Sequence, residues 1–126
     1  MAKISLKTSL KNEEEEMPII HEGFGLIHEE KIVYHENNVM TTLKRDQKVV
    51  SFMRRTDEYE LHFSFDLQGQ TEGYYKIFAI GSKMHLQINT NMLEWNNHKI
   101  EILYRLKIGD VDMGDYLYRL EYEVKE

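Results

Sequence analysis

The feature that most constrains this chain is an alternation with a period of two residues, clearest from Tyr59 to Leu67. Tyr, Leu and Phe occupy every odd position of this segment, and polar residues occupy every even one. Because successive side chains of a strand point to opposite faces, the pattern predicts a strand with one apolar face. No segment sustains the helical period of about 3.6 residues.

The same alternation recurs along all 126 residues, interrupted by polar or glycine-containing turns such as Glu36–Asn38, Gln68–Gln70 and Gly81–Ser82. We count about nine or ten strands, and turns of hairpin length predict antiparallel pairing. A sheet of that size leaves long exposed edges unless it closes. The sequence therefore predicts an all-β fold, a single antiparallel, mostly up-and-down barrel of about 8–10 strands. A two-sheet β-sandwich is the alternative.

We expect one domain over residues 1–126, with the apolar rows of its strands in the core. The residues predicted to be buried are Leu61, Phe63, Phe65, Leu86, Ile88, Ile100, Ile102, Leu120 and Tyr122.

Charge and composition exclude several classes of protein. The net charge is −6 and no stretch is dense in Lys and Arg, so we expect no binding of nucleic acid. No apolar run reaches the roughly 20 residues of a membrane helix, and Met1–Lys11 is unlike a signal peptide. The absence of Cys excludes disulfides and suits a cytoplasmic location.

The order of the strands, the strand end at Phe52-Met53-Arg54 and the stretch from Gly81 to Leu86 resemble a known group. They are similar to the YwiB-like family of small, uncharacterised bacterial proteins. The resemblance implies a soluble protein with a calycin-type (lipocalin-like) β-barrel, and it implies no activity.

Two patterns have some features of metal sites. His21, His28 and His35 recur every seven residues, but a seven-residue step reverses the face of a strand, so exposed or structural histidines are favoured. The segment Gly109–Asp115 has acidic residues in a partly calcium-like order, yet the required glycine is misplaced, and an acidic hairpin loop is favoured. We therefore expect no metal and no cofactor.

Arginine supplies the candidate ligand contact. Arg54 and Arg55 are neighbours at a strand end, so one of them points into the barrel if the strand continues. Arg54 continues the row of Val50 and Phe52, whereas Arg55 continues the row of Val49 and Met53, and both rows are apolar. An inward guanidinium needs a carboxylate, a carbonyl or an anionic ligand. The favoured interpretation places both arginines at the strand end in water, because a lone inward charge is costly. Tyr75 and His62 are weaker candidates.

Three functions remain open on this sequence. A barrel of this size can hold one small apolar or anionic amphipathic ligand, although its bulky inward rows could fill the interior instead. A structural or protein-interaction domain without a ligand ranks nearly level with ligand binding. An enzyme ranks last because no catalytic residues are recognisable and no nucleophile elbow or phosphate loop is present. We expect a monomer or a homodimer that does not associate with membranes.

Overall fold

The computed structural model describes residues 1–125, and these form ten strands. The strands are β1 (Ala2–Asn12), β2 (Ile19–His28), β3 (Lys31–Glu36), β4 (Val39–Asp46), β5 (Val49–Arg55), β6 (Tyr59–Phe65), β7 (Gln70–Ile77), β8 (Ser82–Trp95), β9 (Lys99–Ile108) and β10 (Val111–Lys125). No helix among the described residues has the length and apolar character required to cross a membrane.

The ten strands form one closed antiparallel barrel in which each strand pairs with the next along the chain. β1 closes the barrel by pairing with β10, in a register that sets Leu6 opposite Tyr122. Every strand thereby has a neighbour on both sides, which is how closure removes the edge strands of a large sheet. The predicted up-and-down barrel is confirmed, and the β-sandwich alternative is wrong.

The core consists of the inward rows of the strands. Of the nine residues predicted to be buried, eight are at most 6% exposed, and Leu61 alone is only partly buried. The residues that are 0% exposed are Ile4, Ile32, Leu43, Val50, Ile88, Ile100, Ile102, Leu120 and Thr41. The alternation of period two therefore assigned these faces correctly.

Two expectations about irregular segments are wrong. The acidic segment is not a long loop, because β10 already begins at Val111 and only the turn at 109–110 precedes it. A register shift between Asp112 and Gly114 absorbs the extra residue as a bulge, and Arg105 of β9 binds the carboxylate of Asp112 at 2.7 Å.

The second segment is β2, in which Gly23 and Gly25 predict a bulge or a sharp bend. The pairing of β2 with β1 runs through Gly23 and Gly25 without a register shift. Gly25 is required for close approach instead, because a Cβ there would lie 2.6 Å from the carbonyl oxygen of Val33. β2 and β3 can therefore pack tightly where they begin to pair, at Gly25 and Tyr34.

Candidate functional site

The two ends of the barrel interior differ. One end is filled by branched aliphatic side chains, whereas the other holds a cavity of about 620 Å³. The wall of the cavity on β6 to β9 is largely apolar and includes Leu61, Ile77, Met84 and Ile108. Its floor includes Phe52, Phe63, Tyr104 and Tyr118. The volume lies within the range of roughly 300–1,000 Å³ typical of small-molecule sites.

Arg54 lies in the wall of this cavity, so the interpretation that placed both arginines in water at the strand end is wrong for Arg54. Its place on β5 follows from the alternation, since Val50 and Phe52 of the same row are buried. The Nε atom is buried and has no hydrogen-bond partner, and no ion pair among residues 1–125 includes this guanidinium. The ring centroid of Phe52 lies 5.9 Å from Cζ of Arg54. A desolvated cation without a partner is costly, so the site is suited to an anion.

Arg45 shows how the same barrel satisfies an arginine with a structural role. It occupies the inward row of β4 at the filled end. Its Nη1 donates to the carbonyl oxygen of Trp95 at 3.1 Å, its Nη2 donates to Glu30 at 2.8 Å, and the guanidinium lies over the Trp95 ring. Arg45 thus has two hydrogen-bond acceptors within the protein, whereas the buried Nε of Arg54 has none among residues 1–125.

The phenols of Tyr104 and Tyr118 line the same cavity as Arg54. The hydroxyls of Tyr34 and Tyr118 lie 2.9 Å apart in a buried hydrogen bond. Burial raises the pKa of Tyr118 well above its usual range, Tyr34 raises it further, and Arg54 opposes the shift. Burial likewise raises the pKa of Tyr104, against the same influence of Arg54. Both phenols are therefore protonated at neutral pH and can donate hydrogen bonds.

His21 and Glu36 form a second polar group in the same cavity wall. Nδ1 of His21 lies 3.5 Å from Oε1 of Glu36, and the imidazole stacks on Tyr34 with ring centroids 6.1 Å apart. Nε2 of His21 is buried and has no hydrogen-bond partner within the described chain. The carboxylate thus orients one ring nitrogen, and the other lies against Gly23 of the same strand.

The mouth of the cavity lies at the barrel end formed by the connection at 13–18 and the turns at 37–38, 56–58, 78–81 and 109–110. Acidic residues are common there. Burial raises the pKa of Tyr116 near the mouth, and Glu15 and Glu14 of the first connection raise it further. Arg54 is the one lysine or arginine among the residues that line the cavity.

The structure brings two of the four predicted ligand contacts together. Arg54 and Tyr75 both line the cavity, each in register with Leu61 of β6. Arg55 is exposed on the outer face, with Cζ 5.9 Å from the ring centroid of Phe78. His62 also faces outward, where it stacks on Tyr74 with ring centroids 5.5 Å apart. Neither Arg55 nor His62 lines the cavity.

Sequence reasoning missed His21 and Glu36. In β2 the large apolar residues Ile20, Phe24 and Leu26 are exposed, whereas His21 lies on the inner row with Gly23 and Gly25. A signal was present, because two glycines on the same row as a histidine leave that ring space inside the barrel. No metal-binding group of three or more His, Asp or Glu residues occurs among residues 1–125.

Because the guanidinium of Arg54 is unpaired, we expect its removal to stabilise the protein in the absence of a ligand. Replacing Arg54 with Met removes a buried donor that lacks an acceptor, and we expect the free energy of unfolding to rise by about 1 kcal/mol. That gain corresponds to a melting temperature higher by about 3–6 °C for a domain of this size. Thermal unfolding followed by circular dichroism measures the shift. The matched change Arg55→Met, on the outer face, should stay within about 0.5 kcal/mol of the parent.

A lower melting temperature for Arg54→Met would contradict this expectation, because it would show that the guanidinium stabilises the folded barrel.

Comparison with known proteins places the chain in a family. The family model described as "Domain of unknown function (DUF1934)" matches residues 3–120. The chain belongs to this family. No curated protein matches it. A crystal structure of the ywiB protein from Bacillus subtilis is similar over 99% of this chain and 93% of that one, with a TM-score of 0.68 and 16% identity. The YwiB-like resemblance is thereby confirmed, and at this identity the likeness concerns the fold.

Proposed function

We propose that this barrel binds one small amphipathic ligand, with an anionic group at Arg54 and an apolar part along the opposite wall. The observation that carries the proposal is the position of Arg54, which lines the cavity, takes part in no ion pair among residues 1–125 and has a buried Nε without a hydrogen-bond partner there. An anion would supply the charge-assisted hydrogen bonds that the protein itself does not provide.

The surroundings of Arg54 suit a carboxylate. The guanidinium is a planar fork that binds a carboxylate through two parallel hydrogen bonds. The phenols of Tyr104 and Tyr118 line the same cavity as Arg54 and are protonated at neutral pH, so they offer further hydrogen-bond donors inside it. Leu61, Ile77 and Met84 supply the apolar surface that a hydrocarbon part requires.

Of the other predicted contacts, Tyr75 has a place in this proposal. It is partly buried in the wall next to Leu61, and its ring stacks on Tyr59 with centroids 5.4 Å apart. The ring offers a flat apolar surface and its hydroxyl a polar one. The proposal assigns no ligand contact to Arg55 or His62, because both lie on the outer face of the barrel.

The test compares an anionic ligand with its neutral analogue. Decanoic acid and decan-1-ol are titrated into the protein, and binding is measured by displacement of the fluorescent anion 8-anilinonaphthalene-1-sulfonate and by calorimetry. We expect Arg54→Met to weaken decanoate binding by roughly 10- to 100-fold, because a hydrogen bond to a charged group contributes about 1.5–3 kcal/mol. Binding of decan-1-ol should change little.

The variant Arg55→Met is the matched control, since it removes the same charge one residue away but outside the cavity. Its dissociation constant for decanoate should stay within about twofold of the parent. The proposal is wrong if Arg54→Met binds decanoate as tightly as the parent, or if Arg55→Met loses binding to the same extent.

A protein-interaction domain remains the second candidate, and the outer face of β2 favours it. Ile20, Phe24 and Leu26 are 52%, 60% and 44% exposed there, on a row that also carries the exposed Glu22. Contiguous exposed apolar surface often marks a contact with another protein. Native mass spectrometry distinguishes the candidates, because it reports bound small molecules and oligomeric state together.

A further inference from the structure

Large apolar side chains surround the opening of the cavity. Ile19 and Met84 line the cavity yet are 63% and 39% exposed, so they lie at its edge. Val111 pairs with Ile108, which also lines the cavity, and Val111 itself is 60% exposed. We define the mouth rim as the five exposed apolar residues of this edge, which are Met17, Ile19, Ile80, Met84 and Val111. The apolar wall of the cavity therefore continues to the surface of the protein.

The mouth rim has no counterpart at the other end of the barrel. Met17 is 74% exposed in the connection at 13–18, and Ile80 is 71% exposed in the turn at 78–81. The turns of the opposite end lie at 29–30, 47–48, 66–69 and 96–98. They contain one large apolar residue, Leu67. Exposed apolar side chains that surround one opening and are bordered by polar residues mark a surface for binding.

The same two ends differ in charge. The acidic residues in the connections of the mouth end are Glu13, Glu14, Glu15, Glu16, Asp57, Glu58 and Asp110. No Lys or Arg occurs in those connections, whereas the turns of the opposite end include Lys48. On the adjoining strands, Arg55 and Lys83 face outward over the rings of Phe78 and Tyr74. The mouth rim is therefore bordered by acidic residues.

The apolar side chains and the negative charges together define the chemistry of a partner. Nucleic acids and anionic lipid surfaces carry the same sign of charge as these connections, and so does the mouth end of a second copy. We infer that the mouth end docks a protein partner that presents Lys or Arg residues around an apolar centre. The apolar residues of the partner cover the mouth rim, and its cations face the acidic connections. A docked partner thereby covers the opening of the cavity.

Two synthetic peptides test the inference. One is an amphipathic helix of Leu and Lys labelled with fluorescein, and the other has Glu in place of each Lys. Binding is measured by fluorescence anisotropy at low and at high salt. We expect the parent protein to bind the Lys peptide at least about tenfold more tightly than the Glu peptide, because like charges repel across an interface. High salt should reduce this difference, because it screens exposed charges.

One pair of variants tests the acidic border. Glu15→Gln and Glu16→Gln, made together, should weaken binding of the Lys peptide by about threefold to tenfold, because each removes an exposed negative charge next to the mouth rim. The matched control combines Glu121→Gln with Glu123→Gln, which are exposed on the side of the barrel. It changes the net charge by the same amount and should stay within about twofold of the parent.

A second pair tests the apolar rim. Ile80→Ser should weaken binding of the Lys peptide by about threefold to tenfold, because it removes apolar area from the interface. Leu67→Ser makes a comparable change in a turn of the opposite end and should stay within about twofold of the parent. Ile80 and Leu67 are 71% and 53% exposed, so both variants should fold as the parent does.

The inference is wrong if the two members of either pair bind the Lys peptide equally, or if the Glu peptide binds as tightly as the Lys peptide. Sedimentation of the parent, but not of Ile80→Ser, with phosphatidylcholine vesicles would replace it with docking to a membrane. A homodimer in native mass spectrometry that Ile80→Ser dissociates would replace it with docking to a second copy. None of these measurements involves decanoate, so ligand binding in the cavity is tested separately.

Discussion

Replacing Phe65 with Ala should lower the free energy of unfolding by about 3–5 kcal/mol, the usual cost of truncating a large buried aromatic side chain. Phe65 is 1% exposed, and its ring centroid lies 4.9 Å from that of Tyr104 and 5.8 Å from that of Phe63. It is not among the residues that line the cavity, so its removal leaves a new void in a packed region. Urea denaturation followed by tryptophan fluorescence and circular dichroism measures the loss.

Leu67 provides the control, because the alternation places it on the same row two residues later. β6 ends at Phe65, however, and Leu67 is 53% exposed in the turn that follows. We expect Leu67→Ala to stay within about 0.5 kcal/mol of the parent. Equal losses for the two variants would mean that this region of the interior is packed differently from the structure.

The fold could be predicted because it depends on backbone periodicity and turn length. β6 and β9 alternate so regularly that the inner row of each is evident, and the inner residues Phe63 and Ile102 are both buried as expected. Because hairpin turns are short, each strand pairs with the one before it in the chain. Closure of the resulting sheet into a barrel removes its exposed edges. The ends of the strands were harder to predict. At the acidic start of β10, the charged residues pair with Arg105 instead of forming a loop.

The position of the cavity could not be predicted, because it depends on where large side chains fail to fill the interior. The inward rows of β9 and β10 contain Tyr104, Tyr116 and Tyr118, and their composition does not tell a filled barrel from an open one. The closed end is filled because isoleucine, leucine and valine from several strands meet at one level there. The register between strands determines which side chains meet there. The alternation within each strand carries no information about that register.

The choice between Arg54 and Arg55 illustrates the same limit. Both continue apolar rows, so the sequence left the inward arginine undecided. In the structure, Phe52 packs its ring 5.5 Å from that of Tyr118 inside the barrel, and this contact fixes the row that includes Arg54 as the inner one. β2 is the reverse case, since its apolar row is exposed and hydropathy alone would assign His21 to solvent.

Gly73 should tolerate no side chain, and Gly73→Ala should lower the free energy of unfolding by about 3 kcal/mol, at the upper end of the usual cost of overpacking. Gly73 is buried on the inner row of β7, and a Cβ there would lie 2.1 Å from the carbonyl oxygen of His62. The obstructing atom belongs to the backbone of β6, so no side-chain rotation can relieve the overlap. The loss is measured by urea denaturation.

Gly69→Ala separates this contact from the general effect of replacing a glycine. Gly69 is exposed in the turn that precedes β7, no atom lies within 4 Å of the position that a Cβ would occupy there, and its φ is not in the left-handed region. Because alanine restricts the unfolded chain, this change should raise the free energy of unfolding by about 0.4–1 kcal/mol. Opposite signs for two glycines four residues apart would show that β6 and β7 approach closely at Gly73. Similar signs would contradict that approach, and with it the placement of the neighbouring Tyr75 in the cavity wall.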